Sequence, residues 1–283
     1  MQKIDRLGWA DGRSIIAYGL RVGIRTNSPG MLDSLVPRLP VGWKPSRSPD
    51  VQQLYSLIVG GDSARPSVRR FNVLYANAAR VARSMVLDEV LASFESDLRL
   101  FVGERAQRRV FVHAGVVGWR GRAIVIPGHS FSGKTTLVRA LCGRGATYYS
   151  DEFAAFDARG RVHPFPTPLG IRTEGKIQSE RCSPETLGVR VGGKPLPVGL
   201  VAVTRFKDGA RWRPRRLTAG ASVLALLANT VPARWRPTVA MASLGQVAAS
   251  ALVLKGVRGE AEEISGSLLE MLDAASGAVG DNE

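Results

Sequence analysis

The sequence predicts an α/β fold, because strand-like and helix-like segments alternate over its second half and a glycine-rich loop joins one strand directly to a helix. Residues 110–117 and 123–127 are short apolar runs rich in β-branched residues, which is typical of strands. The loop spans residues 128–133, and residues 134–144 then have helical composition before Gly145, a residue type that commonly ends helices. We therefore expect a mixed sheet that carries helices on its faces.

The remaining elements of this core follow from the same reading of apolar runs. Only residues 118–122 separate the first two strands, so we expect them to form an antiparallel hairpin. Further strands are predicted at residues 146–149, 153–156, 162–165 and 198–203. Further helices are predicted at residues 219–231, 239–254 and 261–275. Together these elements make residues 106–283 one predicted domain.

Residues 1–105 are predicted to form a smaller α+β domain or subdomain that precedes this core. Residues 31–66 are rich in proline, serine and glycine, which indicates irregular connections around a short helix near residues 51–59. Residues 71–75 form a short apolar run, and the helical spacing of the apolar residues that follow predicts a helix over residues 77–94. No pattern in this part points to a particular chemistry.

The composition restricts the cellular setting. Hydrophobic residues make up 45% of the 283 residues, as in ordinary globular proteins. No apolar run reaches the roughly 18 residues that cross a bilayer, and charges interrupt residues 1–20, unlike a secretory signal. Cys142 and Cys182 are the only cysteines, so we expect free thiols and a cytoplasmic protein with no membrane partner.

The net charge of +15, from 39 Lys and Arg against 24 Asp and Glu, predicts a surface that attracts anions. A nucleotide, an acidic peptide and a nucleic acid all fit that charge. The cations are spread along the whole chain rather than collected in one long block of like charge. Nucleic acid is therefore the least favoured of the three partners.

The glycine-rich loop matches the phosphate-loop pattern G-x-x-x-x-G-K-[ST] over residues 128–135. Glycines allow a tight turn whose backbone N–H groups point at phosphate oxygens, and the following helix adds its positive end. Lys134 supplies a cation for the β- and γ-phosphates of ATP, and the Thr135 hydroxyl is a ligand for Mg²⁺. A predicted strand precedes this loop and a predicted helix follows it, as in true phosphate loops, so a chance match to the pattern is disfavoured. The predicted nucleotide-binding residues are Gly128, Ser130, Ser132, Gly133, Lys134, Thr135 and Thr136.

An acidic pair, Asp151 and Glu152, directly follows the strand predicted at residues 146–149. Ligands of α/β proteins bind outside the carboxyl ends of the strands, so both carboxylates are predicted catalytic residues. One of them can accept the proton of an attacking hydroxyl while the other binds magnesium, and Glu152 is the candidate metal ligand beside Thr135. The alternative is a solvated strand end.

His113 lies in the middle of the apolar run 110–117. A histidine in such a strand is more often a packed core residue. The short hairpin, however, places its strand beside the one that leads into the phosphate loop, which brings His113 within reach of the phosphates. We therefore include it, with Lys134, among the predicted catalytic residues.

Two arginines are candidates for contacts to the acceptor or to a phosphate. Arg172 follows the proline-rich stretch 164–168, and Arg205 follows the strand predicted at residues 198–203. An arginine placed on a γ-phosphate stabilises the charge of the transition state. Solvated surface positions are the alternative for both.

These residues, taken in order, resemble the catalytic core of HPr kinase/phosphorylase. The resembling run is His113-Ala-Gly, the loop 128–135, Arg144-Gly145, Ser150-Asp151-Glu152 and the segment Gly-Arg-Val-His-Pro-Phe-Pro-Thr-Pro-Leu at residues 160–169. It is more similar still to the HPr-kinase-related kinases that accompany peptide-modifying enzymes. The resemblance implies an HPr-kinase-like core, ATP and Mg²⁺, and catalytic roles for His113, Lys134 and the acidic pair.

Two departures limit what the resemblance implies. Glu152 stands where HPr kinases have a second Asp, so the resemblance does not assign the base within the acidic pair. The downstream I-R-G-x-G run of HPr kinases is not recognisable here. The resemblance therefore does not extend to HPr as the acceptor, nor to the reverse phosphorylase reaction.

The sequence as a whole predicts a kinase that transfers the γ-phosphate of ATP to a hydroxyl, with a serine of a peptide or small protein as the leading acceptor. A metabolite kinase and a nucleotide-binding switch without an acceptor are the alternatives. The acidic pair favours transfer over switching, because an attacking hydroxyl needs a base near the γ-phosphate. Homo-oligomerisation is left open.

Overall fold

The computed structural model describes residues 5, 8–61, 70–129, 132–171, 180–184 and 186–280. The chain forms two compact units, Met1–Arg108 and Arg109–Glu283. Each unit contains a sheet in which parallel and antiparallel pairs are mixed. The class predicted from the sequence, mixed α/β, is confirmed.

The first unit is a six-stranded sheet with a long helix packed on it. Its strands are β1 (Asp11–Ala17), β2 (Leu20–Thr26), β3 (Lys44–Ser46), β4 (Gln53–Ile58), β5 (Asn72–Ala76) and β6 (Ala79–Ser84). Its helices are α1 (Met31–Leu35), a 3-10 turn at Val36–Arg38, and α2 (Leu87–Arg105). The strand order is β3-β1-β2-β4-β5-β6. Helix α2 contacts β5 and β6 and buries Phe94, Leu98 and Val102 at helical spacing.

Two of the helices predicted in this unit are wrong in whole or in part. The short helix predicted near residues 51–59 is strand β4, in which Tyr55 and Leu57 are buried between β2 and β5. The helix predicted over residues 77–94 is interrupted, because Asn77 has a φ of 52° and turns β5 back into β6. Helix α2 begins only at Leu87. In both cases pairing with neighbouring strands outweighs local apolar spacing.

The second unit contains the phosphate-loop candidate. Its strands are β7 (Val110–Trp119), β8 (Arg122–Pro127), β9 (Thr147–Ser150), β10 (Phe153–Phe156), β11 (Val162–His163), β12 (Leu169–Ile171), β13 (Glu180–Cys182), β14 (Val198–Phe206), β15 (Arg215–Arg216) and β16 (Leu252–Arg258). Its helices are α3 (Lys134–Gly143), α4 (Ala219–Leu227), a 3-10 turn at Val231–Arg234, α5 (Pro237–Ser250) and α6 (Ala261–Gly280).

The large sheet of this unit has the order β11-β10-β7-β8-β14-β16-β15, with β9 also paired to β7. The hairpin predicted between β7 and β8 is confirmed, with Val116 opposite Val125. Strands β8, β14 and β16 run parallel, so their carboxyl ends lie at one edge of the sheet. That edge is where open α/β sheets bind ligands.

Helices cover both faces of this sheet. One apolar layer contains residues of α3 and α6, including Leu137, Leu141 and Leu268, all fully buried. The other contains residues of α4 and α5, including Leu226 and Leu244. The unit is therefore a three-layer α/β arrangement whose central sheet is shielded from water on both sides.

The helix predicted over residues 239–254 is wrong at its end. Helix α5 stops at Ser250, and the last residues of the prediction belong to β16. Strand β16 is inserted between β14 and β15, where Val253 and Leu254 are buried. A short apolar run has no decisive period of its own, and the parallel partner β14 decides its conformation.

Two further observations concern the setting. Cys142 and Cys182 are both free thiols. Among the described residues, no helix combines the length and the apolar character that crossing a membrane requires.

Candidate functional site

The glycine-rich loop is held by the strands on which it stands. Strand β8 ends at Pro127, and the N–H of Gly128 donates to the carbonyl of His113 on the neighbouring strand at 3.1 Å. Gly133, the residue before α3, has a φ of 81°, a region that favours glycine. The loop therefore leaves the sheet and enters the helix in a turn that side-chain-bearing residues would strain.

A buried arginine contacts this loop from the end of β16. Arg258 is only 3% exposed, and its Nη2 donates to the carbonyl of Gly133 at 3.1 Å while Nη1 donates to the carbonyl of Gly259 at 2.9 Å. A Cβ on Gly128 would lie 2.6 Å from Ser132 Oγ, so this contact also needs a glycine. Among the described residues, Ser132 Oγ and Arg258 Nε are buried without a hydrogen-bond partner. Two polar atoms next to the loop thus remain available for a ligand or water.

Lys134 begins helix α3 and folds back over the loop. Its Nζ donates to the carbonyl of His129 at 2.5 Å. Burial lowers the pKa of Lys134, and the nearby carboxylate of Asp151 acts in the opposite direction. The first backbone N–H groups of an α-helix have no partner within the helix, so they are suited to bind an anion. The ammonium group and the helix end supply positive potential at the same place.

Asp151 is the centre of a cluster of hydroxyl groups. Its Oδ2 accepts from Thr135 Oγ1 at 3.2 Å, and its Oδ1 accepts from Thr167 Oγ1 at 3.1 Å. The hydroxyl oxygen of Tyr148 lies 3.2 Å from Asp151 Oδ1 and 2.8 Å from the carbonyl oxygen of Thr167. The hydroxyl has one proton, so it donates to one of these two acceptors at a time. Burial raises the pKa of Asp151, although these hydrogen bonds act to lower it. A second positive group or a metal ion near this carboxylate would favour its charged form.

The turn that carries the acidic pair is fixed by Ser150. The fully buried Ser150 accepts, at Oγ, the N–H groups of Glu152 at 3.2 Å and Phe153 at 3.0 Å. The carbonyl of Glu152 accepts the N–H of Ala114 at 3.1 Å. These bonds separate β9 from β10 while both remain paired to β7. The acidic pair is therefore built into the sheet rather than placed on a free loop.

His113 faces the same side of the sheet as α3. Its neighbours Val112 and Ala114 belong to the opposite apolar layer, and side chains alternate along a strand. Its ring lies 4.7 Å from that of Phe153, at an interplanar angle of 34°. Burial lowers the pKa of His113, and the positive charge of Lys134 and then His129 adds to the effect. The imidazole is thus neutral near pH 7, which leaves one ring nitrogen able to accept a proton.

The structure brings part of the predicted set together. The loop glycines, Lys134, Thr135, Asp151 and His113 surround the start of α3. Glu152 is half-buried next to Asp151, and Thr136 is exposed on the first turn of the helix. Predicted residues that lie outside the described part of the chain are Ser130 and Arg172. Arg205 is exposed at the end of β14 and makes no ion pair within the described residues.

Three site residues were missed by the sequence analysis. Arg258 was missed because the segment before it was assigned to a helix, which hid the end of a parallel strand. Tyr148 and Thr167, both buried, bind Asp151 from β9 and from the proline-rich segment. Arg258 ends a short apolar run, and a charged residue at the end of such a run was the available sign of a site residue. No local sequence pattern marks Thr167 as a partner of Asp151.

Oxygen atoms of Thr135 and Asp151 lie 3.2 Å apart and would suit a magnesium ion, so the geometry pairs Thr135 with Asp151, whereas the sequence predicts Glu152 as the second ligand. Mg²⁺ prefers oxygen ligands, and usually takes one or two protein groups together with waters and phosphate oxygens. Within the described residues there is no group of three or more His, Cys, Asp and Glu side chains suited to a metal, so a closed structural metal centre is not indicated there. A sparse oxygen site that a nucleotide completes fits these residues.

Comparison with known proteins gives little independent information. No protein-family model matches the chain, and no curated protein matches it. Among solved structures, the HPr(Ser) kinase/phosphatase from Coxiella burnetii is similar with a TM-score of 0.30 and 14% sequence identity. That match covers 61% of this chain and 99% of the other. A TM-score of 0.30 is too low to support an inference about function.

Proposed function

We propose that the second unit binds Mg·ATP at residues 128–135 and transfers the γ-phosphate to a hydroxyl group, with a serine of a peptide or small protein as the acceptor. The observation that carries this proposal is the 3.2 Å hydrogen bond between the Thr135 hydroxyl and the half-buried Asp151 carboxylate. It joins the end of a phosphate-loop motif to the acidic pair at the carboxyl edge of the sheet. The two free cysteines fit a reducing cytoplasm, which we propose as the location.

In this proposal the loop and Lys134 hold the phosphates. Backbone N–H groups at the start of α3 point toward the anion, and Lys134 exchanges its bond to the His129 carbonyl for one to a phosphate oxygen. Thr135 and Asp151 would hold a magnesium ion, which would supply neutralising charge for the β- and γ-phosphates. Arg258 donates to the carbonyl of Gly133 and so holds the residue that precedes α3 in place.

The transfer step needs a proton acceptor. The hydroxyl oxygen of the acceptor bonds to the γ-phosphorus while the bond from that phosphorus to the β–γ bridging oxygen breaks, ADP leaves, and the hydroxyl proton passes to a base. Asp151 already accepts hydroxyl hydrogen bonds, so the base is Glu152 or the neutral imidazole of His113. The low pKa of His113 suits a group that must be unprotonated before the step.

Calorimetry with Mg·ATP on Lys134→Ala and Thr135→Ala tests the proposal. We expect each variant to bind at least about 10-fold more weakly, because a hydrogen bond to a charged group contributes on the order of 1.5–3 kcal/mol. Arg139→Ala is the matched control, since Arg139 is an exposed cation further along the same helix. Wild-type affinity in both variants, or no binding by the wild-type protein, would overturn the phosphate-loop assignment.

A further inference from the structure

One stretch of the second unit is far more basic than its surroundings. Residues 205–216 contain six cations and a single anion, Asp208. The cations are Arg205, Lys207, Arg211, Arg213, Arg215 and Arg216, and all six are exposed. Lys255, also exposed, lies directly opposite Arg215 in the sheet. We name residues 205–216 together with Lys255 the basic edge. Within the described residues none of these cations forms an ion pair or a side-chain hydrogen bond.

The basic edge is a fixed platform rather than a loose loop. Trp212 is half-buried against the apolar layer of α3 and α6 and packs over Gly256, where an added Cβ would lie 2.8 Å from its ring. After it, Arg215 and Arg216 pair with β16, and the N–H of Leu217 donates to the carbonyl of Val253 at 2.9 Å. The arginines on both sides of Trp212 therefore project into solvent from an anchored backbone.

This platform is continuous with the phosphate loop. The N–H of Lys207 donates to the carbonyl of Arg258 at 2.9 Å, and the side chain of Arg258 donates to the carbonyl of Gly133 at 3.1 Å. The basic edge thus begins at the carboxyl edge of the sheet, where the proposed transfer takes place. Cations that only maintain solubility need not be concentrated at the carboxyl edge of the sheet.

The outer strand of the platform also offers backbone groups. In the described sheet β15 is the last strand beyond β16. An edge strand exposes unpaired N–H and C=O groups, to which an extended peptide can add as a further strand. A nucleic acid would use the positive charge but not this row of backbone groups. Charge and edge together fit an extended acidic peptide better.

We propose that the basic edge binds an acidic segment of the peptide or protein that carries the acceptor hydroxyl. This inference rests on the proposed kinase function and adds the means by which the substrate is selected. A strand added beyond β15 would lie four strand spacings from β8, which is about 19 Å at a spacing of about 4.8 Å. An extended chain covers that distance in roughly six residues. The acidic residues should therefore lie about that far along the chain from the acceptor.

The test uses two synthetic peptides of equal length, each with one serine. One carries glutamates at alternate positions beginning roughly six residues from the serine, and the other carries glutamines there. Binding to the full chain is measured by fluorescence anisotropy in the presence of a non-hydrolysable Mg·ATP analogue. The edge variant replaces Arg211, Arg213 and Arg215 by Glu, with a second variant in which they become Gln. The control replaces the exposed cations Arg139, Arg159 and Lys194 by Glu, which changes the net charge equally.

We expect the wild-type protein to prefer the glutamate peptide by about 10-fold or more, since three exposed ion pairs of ordinary strength add to that scale. Both edge variants should lose this preference, whereas the control variant should keep it. Higher salt should reduce the preference of the wild-type protein. Equal losses in edge and control variants, or no preference in the wild type, would overturn the inference. So would edge-dependent binding of a single-stranded oligonucleotide in place of the peptide. Calorimetry with Mg·ATP on the same preparations separates a failed docking surface from a failed nucleotide site.

Discussion

At the scale of single residues, Arg258 is the least expected part of the site. A guanidinium that is 3% exposed loses most of its hydration, and burial accordingly lowers its pKa. Its hydrogen bonds to the carbonyls of Gly133 and Gly259 partly offset that cost. A residue held in this way acts on the conformation of the loop, so we regard Arg258 as a positioning residue.

Replacement of Arg258 by Met should separate this role from stability. We expect the melting temperature to change little or to rise, because a buried charge is exchanged for an apolar side chain of similar length. The affinity for Mg·ATP should fall about 10-fold, the scale of one charge-assisted hydrogen bond. Arg258→Lys should recover part of the affinity, since an ammonium group can still donate to one carbonyl. Unchanged affinity in Arg258→Met would show that the loop holds its conformation without this contact.

His113 is the residue for which a packing role and a catalytic role predict different results. If it accepts a proton, His113→Leu should fold normally and lose about 10²-fold in transfer rate, the usual contribution of an acid–base group. Because its pKa lies below the ordinary 6.5, the wild-type rate should stay constant down to that pH and fall only in more acid solution. The protonated form is the inactive one.

A thermal melt and a pH–rate profile on one preparation decide between these roles. Arg139→Ala is the control, because Arg139 is exposed further along α3 and is not among the groups that shift the pKa of His113. Retained activity in a folded His113→Leu protein would show that His113 is a packing residue and not a catalytic one.

The site residues that the sequence predicts are those within a local pattern. Lys134 and Thr135 belong to a contiguous motif, and the carboxylate of Asp151 follows a strand. Thr167 and Arg258 reach the same site through contacts between segments that are distant in the chain. Such contacts depend on sheet order, which no short sequence window contains.

At the scale of elements, the junction between β9 and β10 determines how the two acidic residues differ. Asp151 shares hydrogen bonds with Thr135 and Thr167, whereas the main chain of Glu152 is bound to Ser150 and Ala114. The turn therefore holds both residues at fixed positions along β7.

Conservative amides at the two positions should give different kinetic results. Asp151→Asn should weaken Mg·ATP binding and transfer together, because a metal-holding charge is lost. Glu152→Gln should leave binding within about 3-fold while lowering the transfer rate about 10²-fold, if Glu152 is the base. The measurements are calorimetry for binding and mass spectrometry of the phosphorylated acceptor for transfer. If both variants transfer phosphate at the wild-type rate, Asp151 and Glu152 have no catalytic role and only end a strand.

The elements predicted well and poorly from the sequence differ in a physical way. The hairpin of β7 and β8, which leads into α3, combines a short turn with strongly apolar strands, so local pattern and final structure agree. Strand β16 reads Leu-Val-Leu-Lys-Gly-Val-Arg, too short and too apolar for its period to be decisive. Its parallel pairing with β14 is a long-range contact that supplies what the local pattern lacks.

At the scale of the whole molecule, all the described residues that form the candidate site belong to the second unit. Both apolar layers around its large sheet consist of residues from 112 to 272, and the phosphate loop, the acidic turn and Arg258 stand on that sheet. The first unit has its own sheet and its own helix α2, which buries one face against that sheet. Nucleotide binding should therefore be a property of the second unit by itself.

A fragment of residues 106–283 tests this separation. It keeps every described contact around Lys134 and Asp151, and it keeps Arg109, whose side chain contacts His163. We expect it to bind Mg·ATP within about 3-fold of the full chain, a difference of roughly 0.7 kcal/mol. The same fragment with Lys134→Ala is the control for specific binding. Cooperative unfolding on heating would show that the fragment is folded. If such a folded fragment binds no nucleotide, the first unit contributes to the site. A fragment that binds as tightly as the full chain would leave residues 1–105 for a different task, because the phosphate loop and its supporting sheet would then need nothing from them.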